Sequence, residues 1–548
     1  DEARKDDGKK DDAKKEEKKI TPVEIELDGL AARIVEAPVP AGNYTRLMVN
    51  DKTLFFGSYG DDDEGPGSNL TLKALTITNE KPEVKTVASG VKLYELSADG
   101  KKLLIHKGDT IAVVDAAASP AEIDKNAVDL SGWSMSVVPG MEWRDMYVDA
   151  WRLLRDYFYA TNMHGADWPK VREKYAPLVD RVRSRSDLSD VLAQMTAELS
   201  TLHHFVYGGD LRASQDRAAL GHLGADLSRD EAAGGFRVDR VYTFDPDDTG
   251  AVPPLARPTV NVNDGDVITH VNGVPTLSVP SVAVLLRNQV GRQVLIRVKP
   301  RGGGADRDAI VTPISAAAAA DLRYNQWELQ RRQIVEKESD SQIGYVHLRA
   351  MGRGDIAQWA KNFYPVFNRS GLIIDVRRNN GGNIDSWILG QLLRKPWMYW
   401  NQPAGRAPAW NMQMAFRGHI VVICDSFTAS DGEAFSEGFR RLGLGKVIGT
   451  RTWGGEVWLS SSNTLVDGGL ASAGEYGVFG ADEKGQMVWL VEGRGVEPDM
   501  VVDNPPHATF KGEDAQLKAA IDHLKQLIRE KPVTLPEVPP LPDKQFRK

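Results

Sequence analysis

The chain has 548 residues, 41% apolar and 26% charged, enough for several buried cores. Its net charge of −8 argues against a nucleic-acid partner, and no apolar run approaches the roughly 18 residues of a membrane-spanning helix. The single cysteine, Cys424, excludes an intrachain disulfide and fits a reducing, cytoplasmic compartment; without H-E-x-x-H or C-x-x-C, and with His203 and His204 adjacent rather than four apart, neither metal nor cofactor is expected.

Residues 1–19, "DEARKDDGKKDDAKKEEKK", are almost all charged and are expected to form a solvated linker. Residues 20–135 alternate short apolar runs with turn signals, including "ADGKK" between two such runs. They resemble the last blades of a β-propeller, which would make the chain the C-terminal part of a longer protein. Over residues 136–215 the period becomes helical: Trp143, Met146, Tyr147, Ala150, Trp151, Leu154 and Phe158 fall on one stripe, read as core packing. A second helix is predicted over roughly 186–200, just before "TLHHF".

Residues 216–318 read as β-rich. "VNDGDVITHVNGVP" has the turn–strand–turn pattern of a PDZ domain, and "GHLGADLS" is a candidate loop for receiving a peptide carboxylate on backbone N–H groups. Residues 319–548 alternate strands ("QIGYVHLRA", "GLIIDVRRNNGGN", "HIVVICD", "GKVIGTRTWGG") with helices, which argues an α/β layer fold. A helix near 513–530 and the Pro-rich tail "PVTLPEVPPLPDKQFRK" close the chain.

The chemistry centres on "FTASDGEAF". Ser430 and Glu433 have the S-x-x-E spacing of a capping box, a purely structural role. Ser430 also stands between a buried strand and a helix N-terminus, where a nucleophile would find the unpaired N–H of Asp431 aimed at a developing oxyanion. "NNGGN" offers a second donor, from Gly381 or Gly382, because a residue without a Cβ can approach a substrate closely. The nucleophile is not in a G-x-S-x-G elbow, since position 428 is threonine.

This arrangement resembles the crotonase-like serine peptidases that carry a PDZ domain. Carboxyl-terminal processing proteases place a lysine in a T-x-G-K-G stretch after the nucleophile; here "RTWGGEVW" puts Gly455 there, so that dyad is missing. The tricorn protease family fits nearly the whole chain. Its motifs resemble "AELSTLHHFVYGGD", "DVRRNNGG", "SFTASDGEAFSEGF" and "EGRGVEPD", in that order. The resemblance implies a multidomain fold of partial β-propeller, helical domain, PDZ domain and α/β crotonase-like serine protease domain. It further implies Ser430 as nucleophile, His203 as base and Glu492 as its orienter, in a homo-oligomer, a hexamer in the family, that hydrolyses oligopeptides. The family has serine before the histidine where this chain has Leu202, which leaves Glu492 to act directly or through water, or Thr201 to substitute. The alternatives are a processing-type protease with another base, or a non-catalytic PDZ and propeller scaffold. The family ties a basic preference to an aspartate between the oxyanion loop and the nucleophile. Between Asp385 and Asp425 this chain has no acid, but carries Trp387, Trp397, Tyr399, Trp400 and Trp410, so an apolar residue is expected before the cleaved bond.

Overall fold

A computed structural model describes residues 27–34, 36–59, 69–78, 82–212, 214, 216–459 and 464–544. The charged linker expected over 1–19 lies outside the described residues. The chain divides into two compact units, Asp1–Ser136 and Val137–Lys548.

The first unit holds a propeller-like antiparallel sheet of six strands in sequence order: Asn43–Val49, Thr53–Tyr59, Leu70–Thr76, Val84–Leu96, Lys102–Lys107 and Thr110–Asp115. They form one continuous meander, because Val84–Leu96 is long enough to pair with Leu70–Thr76 through its first part and Lys102–Lys107 through its last. The "ADGKK" turn closes a hairpin as its composition demands. Ser97 N–H donates to Lys102 O at 2.9 Å, Gly100 takes φ 69°, and Asp99 accepts from the Ser97 hydroxyl. Phe55, Leu72, Tyr94, Leu103 and Ile105 fill one face.

The second unit begins with three helices, Pro139–Tyr157, Trp168–Val179 and Arg185–Ala197. The third starts one residue before its predicted position, where Ser184 and Asp187 make a reciprocal capping box. The aromatic stripe packs as core: Trp151 and Trp168 stack at 6.4 Å, and each indole N–H donates to the other's backbone carbonyl. An antiparallel six-stranded sheet follows, with Val267–Val271 central and Ala225–Asp230 on its edge. Gly265 and Asn272-Gly273 supply the positive φ its turns need. In "GHLGADLS" the Gly221 and His222 N–H groups donate internally, to Leu286 O and Ile314 O, so those two are not offered to a carboxylate.

The last layer is a parallel sheet in the order Ile343–His347, Gly371–Asp375, His419–Cys424, Gly445–Gly449 and Met500–Val501. Gly371–Asp375 is buried throughout because helices cover both faces. Ala316–Glu338 and Ala515–Glu530 pack one side through Val335, Ile521 and Leu524; Arg353–Phe363, Asp385–Leu392 and Asp431–Arg441 pack the other through Trp359, Ile388 and Phe435. Beneath the loop after Asp375, Arg377 chelates Asp375 at 2.7 Å and reaches Asp514, the N-cap of the last helix, at 2.8 Å. Cys424 is a buried apolar strand residue, its thiol pKa pushed up by desolvation. Among the described residues no helix is long and apolar enough to cross a membrane.

Candidate active site

The C-terminal ends of three parallel strands, at Asp375, Cys424 and Gly449, lead into the loops that carry the candidate site. After Cys424 the chain turns through a fully buried Thr428, whose hydroxyl donates to Val376 O at 2.8 Å. Ala429 N–H donates to Asn379 O at 2.9 Å, so the Ser430 turn is tied to the "NNGG" loop. Ser430 then takes φ 53° and ψ −128°, a backbone strain of order 1–3 kcal/mol for a residue with a Cβ. Gly381, at φ 84°, lies so near that any side chain there would clash with the Ser430 Cβ.

Ser430's two readings separate here. Glu433 makes its half of the capping box, accepting the Ser430 N–H at 3.1 Å, but the Ser430 hydroxyl makes no cap hydrogen bond. Glu433 itself is fully buried and well satisfied. It also accepts from the Thr452 hydroxyl (2.5 Å), Gly454 N–H (2.7 Å) and Gly455 N–H (2.9 Å), fastening the 452–455 loop to the Ser430 turn. Gly455 cannot be exchanged for a dyad lysine in this geometry, because a Cβ there would strike the Trp453 ring.

His203 arrives from the helical region. Val206–Tyr207 pairs with Leu470–Ala471, and Phe205 N–H donates to the Ser472 hydroxyl at 2.8 Å. A buried Arg185–Asp467 pair at 2.5 Å clamps the same junction. His203 Nδ1 lies 2.6 Å from Val457 O. A carbonyl only accepts, so the proton sits on Nδ1 and Nε2 keeps its lone pair. Its neighbour His204 is a structural residue: Nε2 accepts Gly474 N–H at 2.9 Å, and burial lowers its pKa to about 4.

Glu492 holds both sides of His203 through the main chain. One oxygen accepts Leu202 N–H at 2.7 Å; the other accepts Glu456 N–H at 2.8 Å and Val457 N–H at 3.0 Å. The direct partner of His203 is therefore the Val457 carbonyl, not the Glu492 carboxylate. Thr201 does not substitute, since its hydroxyl donates to Leu199 O.

His203 and Ser430 line one open pocket of about 290 Å³, with Phe205, Asn380, Phe427 and Trp453 among its walls. The structure thus brings these two sequence-chosen residues together. Of the expected oxyanion donors, Asp431 N–H sits in the unpaired first turn of its helix. Gly381 N–H is spent on the Asn379 side chain at 2.8 Å, which leaves Gly382 as the unengaged amide of that turn. The Asp431 carboxylate accepts from Ile384 and Asp385 N–H groups; burial first, then Asp385, raises its pKa to about 7. Burial and the neighbouring Glu433, Asp431 and Asp385 raise Glu456 to about 10. Among the described residues no cluster of His, Cys, Asp or Glu is arranged to hold a metal.

The chain matches the Tricorn protease C1 domain over 139–197, the Tricorn protease PDZ domain over 221–316 and Peptidase family S41 over 342–502. The chain belongs to the tricorn protease family. It is 35% identical to Tricorn protease homolog 1 of Streptomyces coelicolor over 531 residues, covering 94% of this chain and 48% of that one. It is 28% identical to the Tricorn protease of Thermoplasma acidophilum, covering 94% and 47%. A crystal structure of the tricorn protease superposes with a TM-score of 0.80 at 26% identity, covering 93% of this chain and 49% of that one. The chain spans about half the length of these relatives. The match across three domain types agrees with the helical, PDZ and α/β layers of the fold.

Four residues that shape the candidate site carry no sequence signal of that role. Val457 meets His203 through its carbonyl, which carries no side-chain signature. Glu433 was visible only as a capping residue. Phe205 and Phe427 were unmarked apolar positions, whereas in the aromatic stretch between 387 and 410 Trp397 and Trp400 are exposed and Trp410 packs on Phe367.

Proposed function

We propose that this chain is a serine endopeptidase acting on oligopeptides, with Ser430 as nucleophile and His203 as general base. The observation that carries the reading is the shared pocket, where a strained serine meets a histidine with Nε2 left as its basic nitrogen. Ser430 Oγ attacks the scissile carbonyl as its proton passes to His203 Nε2, which then returns it to the leaving amine. The Asp431 N–H, with one from the Gly381–Gly382 turn, holds the oxyanion; Gly382 is the amide free to do so. Val457 O orients the ring and stabilises the imidazolium, and Glu492 fixes Val457 and Leu202 in place. Glu492 is thus a positioning residue. Assembly of like copies and a cytoplasmic location belong to this proposal by family resemblance, with no nucleic-acid or membrane partner.

An active-site serine probe tests the assignment. Labelling is expected at Ser430 and is expected to vanish in His203→Ala. No labelling of the wild type, together with tight peptide binding, would instead support the scaffold reading. Glu492→Gln puts an amide donor toward backbone N–H groups, so kcat is expected to fall by about tenfold or more while KM holds within about twofold. An unchanged kcat would remove Glu492 from the machinery.

A further inference from the structure

We propose that the Ser430 pocket is an apolar subsite that takes a large hydrophobic side chain from the residue preceding the scissile bond, with Phe427 as its principal wall. This rests on the peptidase reading and adds the substrate class to it.

Phe205, Phe427 and Trp453 contribute three rings, and no carboxylate is among the lining residues. The nearby acids face elsewhere. Asp431 and Glu433 are buried and turned onto backbone amides, and Glu456 is 2% exposed behind the loop. Asp425 accepts the N–H groups of Arg378 and Phe427 through Oδ1. A lysine or arginine entering here would be stripped of water without a counter-charge. The positive charge already present adds to that cost, since the Arg378 guanidinium stands 5.2 Å from the Phe427 ring centre.

Phe427 contributes nothing to the core. It is 62% exposed, and its N–H is fixed by Asp425 at 3.0 Å, so the backbone holds an aromatic ring out beside the nucleophile. Single exposed hydrophobics are common on proteins and need no explanation. This one shares a pocket with Ser430 and His203, and an apolar side chain docked there would cover it. Binding energy realised there, remote from the reacting bond, positions the carbonyl for attack.

The test is a fluorogenic peptide panel varying only the residue before the cut (Phe, Leu, Ala, Lys, Glu), read on wild type, Phe427→Ala and Ser430→Ala. Because Phe427 is exposed, its replacement leaves the fold intact. Phe and Leu substrates are expected to exceed Lys by about tenfold or more in kcat/KM. Phe427→Ala is expected to lower the Phe and Leu values by about tenfold and leave the Ala substrate within about twofold. Lys as the fastest substrate, with turnover lost in Ser430→Ala, overturns the subsite and leaves the peptidase reading standing. An equal drop on every substrate in Phe427→Ala also overturns it. Absence of Ser430-dependent hydrolysis across the panel overturns both.

Discussion

Ser430→Ala is expected to abolish peptide hydrolysis, by about 10⁴-fold or more, while leaving stability within about 1 kcal/mol of wild type. The two halves of this expectation rest on different observations. Activity is expected to disappear because, in the proposed mechanism, the hydroxyl is the atom that attacks. Stability survives because the hydroxyl caps nothing, while Glu433 bonds the Ser430 main chain, which alanine retains. Alanine also keeps the Cβ that fits beside Gly381, and the positive φ strains both residues alike. Turnover assays with denaturant melts of both proteins check it. Activity near wild type would move the nucleophile elsewhere, and a collapse in stability would return Ser430 to a structural role.

The second large effect is in stability. Glu456→Gln is expected to stabilise the protein at pH 8, by up to about 5 kcal/mol. Glu456 is 2% exposed and one of its carboxyl oxygens has no partner; burial, then the nearby acids, raise its pKa from 4.5 to about 10. At pH 8 the folded chain holds this proton and the unfolded chain has released it. The folded state binds more protons between about pH 4.5 and 10, so the contribution of Glu456 falls as pH rises through that window. Glutamine has the shape of the protonated acid and does not titrate. The advantage of the variant should therefore grow by about 1.4 kcal/mol per pH unit, read as denaturation midpoints between pH 6 and 8. His204 has the opposite dependence: with its pKa lowered to about 4, its contribution is lost as pH falls from 6.5, in both proteins equally. A variant that is less stable, or whose advantage does not change with pH, would mean Glu456 is ionised and paired in the folded state.

The sequence was most legible where local chemistry and global fold agree. "ADGKK", "DGD" and "NG" made turns because glycine and asparagine are needed at positive φ. The tryptophan stripe packed as its spacing required, and the apolar runs became parallel strands covered on both faces. His203 and Ser430 could be chosen because chemistry-bearing side chains in ordered motifs leave a trace in sequence. What stayed hidden has a common cause. The Val457 carbonyl and the Gly382 amide belong to the backbone, which is identical at almost every position. Motif order leaves open whether Glu492 reaches the base directly or through water, because it does not reveal that its oxygens stop at three main-chain N–H groups. The tryptophans between 387 and 410 point to an apolar preference but not to the residues that line the pocket, because an acid-free aromatic stretch gives composition without direction. Phe427 fills that place because its turn, not its residue type, aims it there.

The pairing of Val206–Tyr207 with Leu470–Ala471 has a further consequence. Ser430 and the Val457 carbonyl ride on the sheet layer, whereas His203 belongs to the segment that follows the helices. In the proposed mechanism the site is therefore a composite of two stretches of polypeptide, neither complete alone, held together by the two-residue ladder, the buried Arg185–Asp467 pair and the hydrogen bonds that Phe205, Leu202 and His203 make to the sheet layer. On the proposed mechanism such a seam would act as a safeguard: a clipped chain would carry a serine without its base, and peptide cleavage would require the histidine strand to be docked.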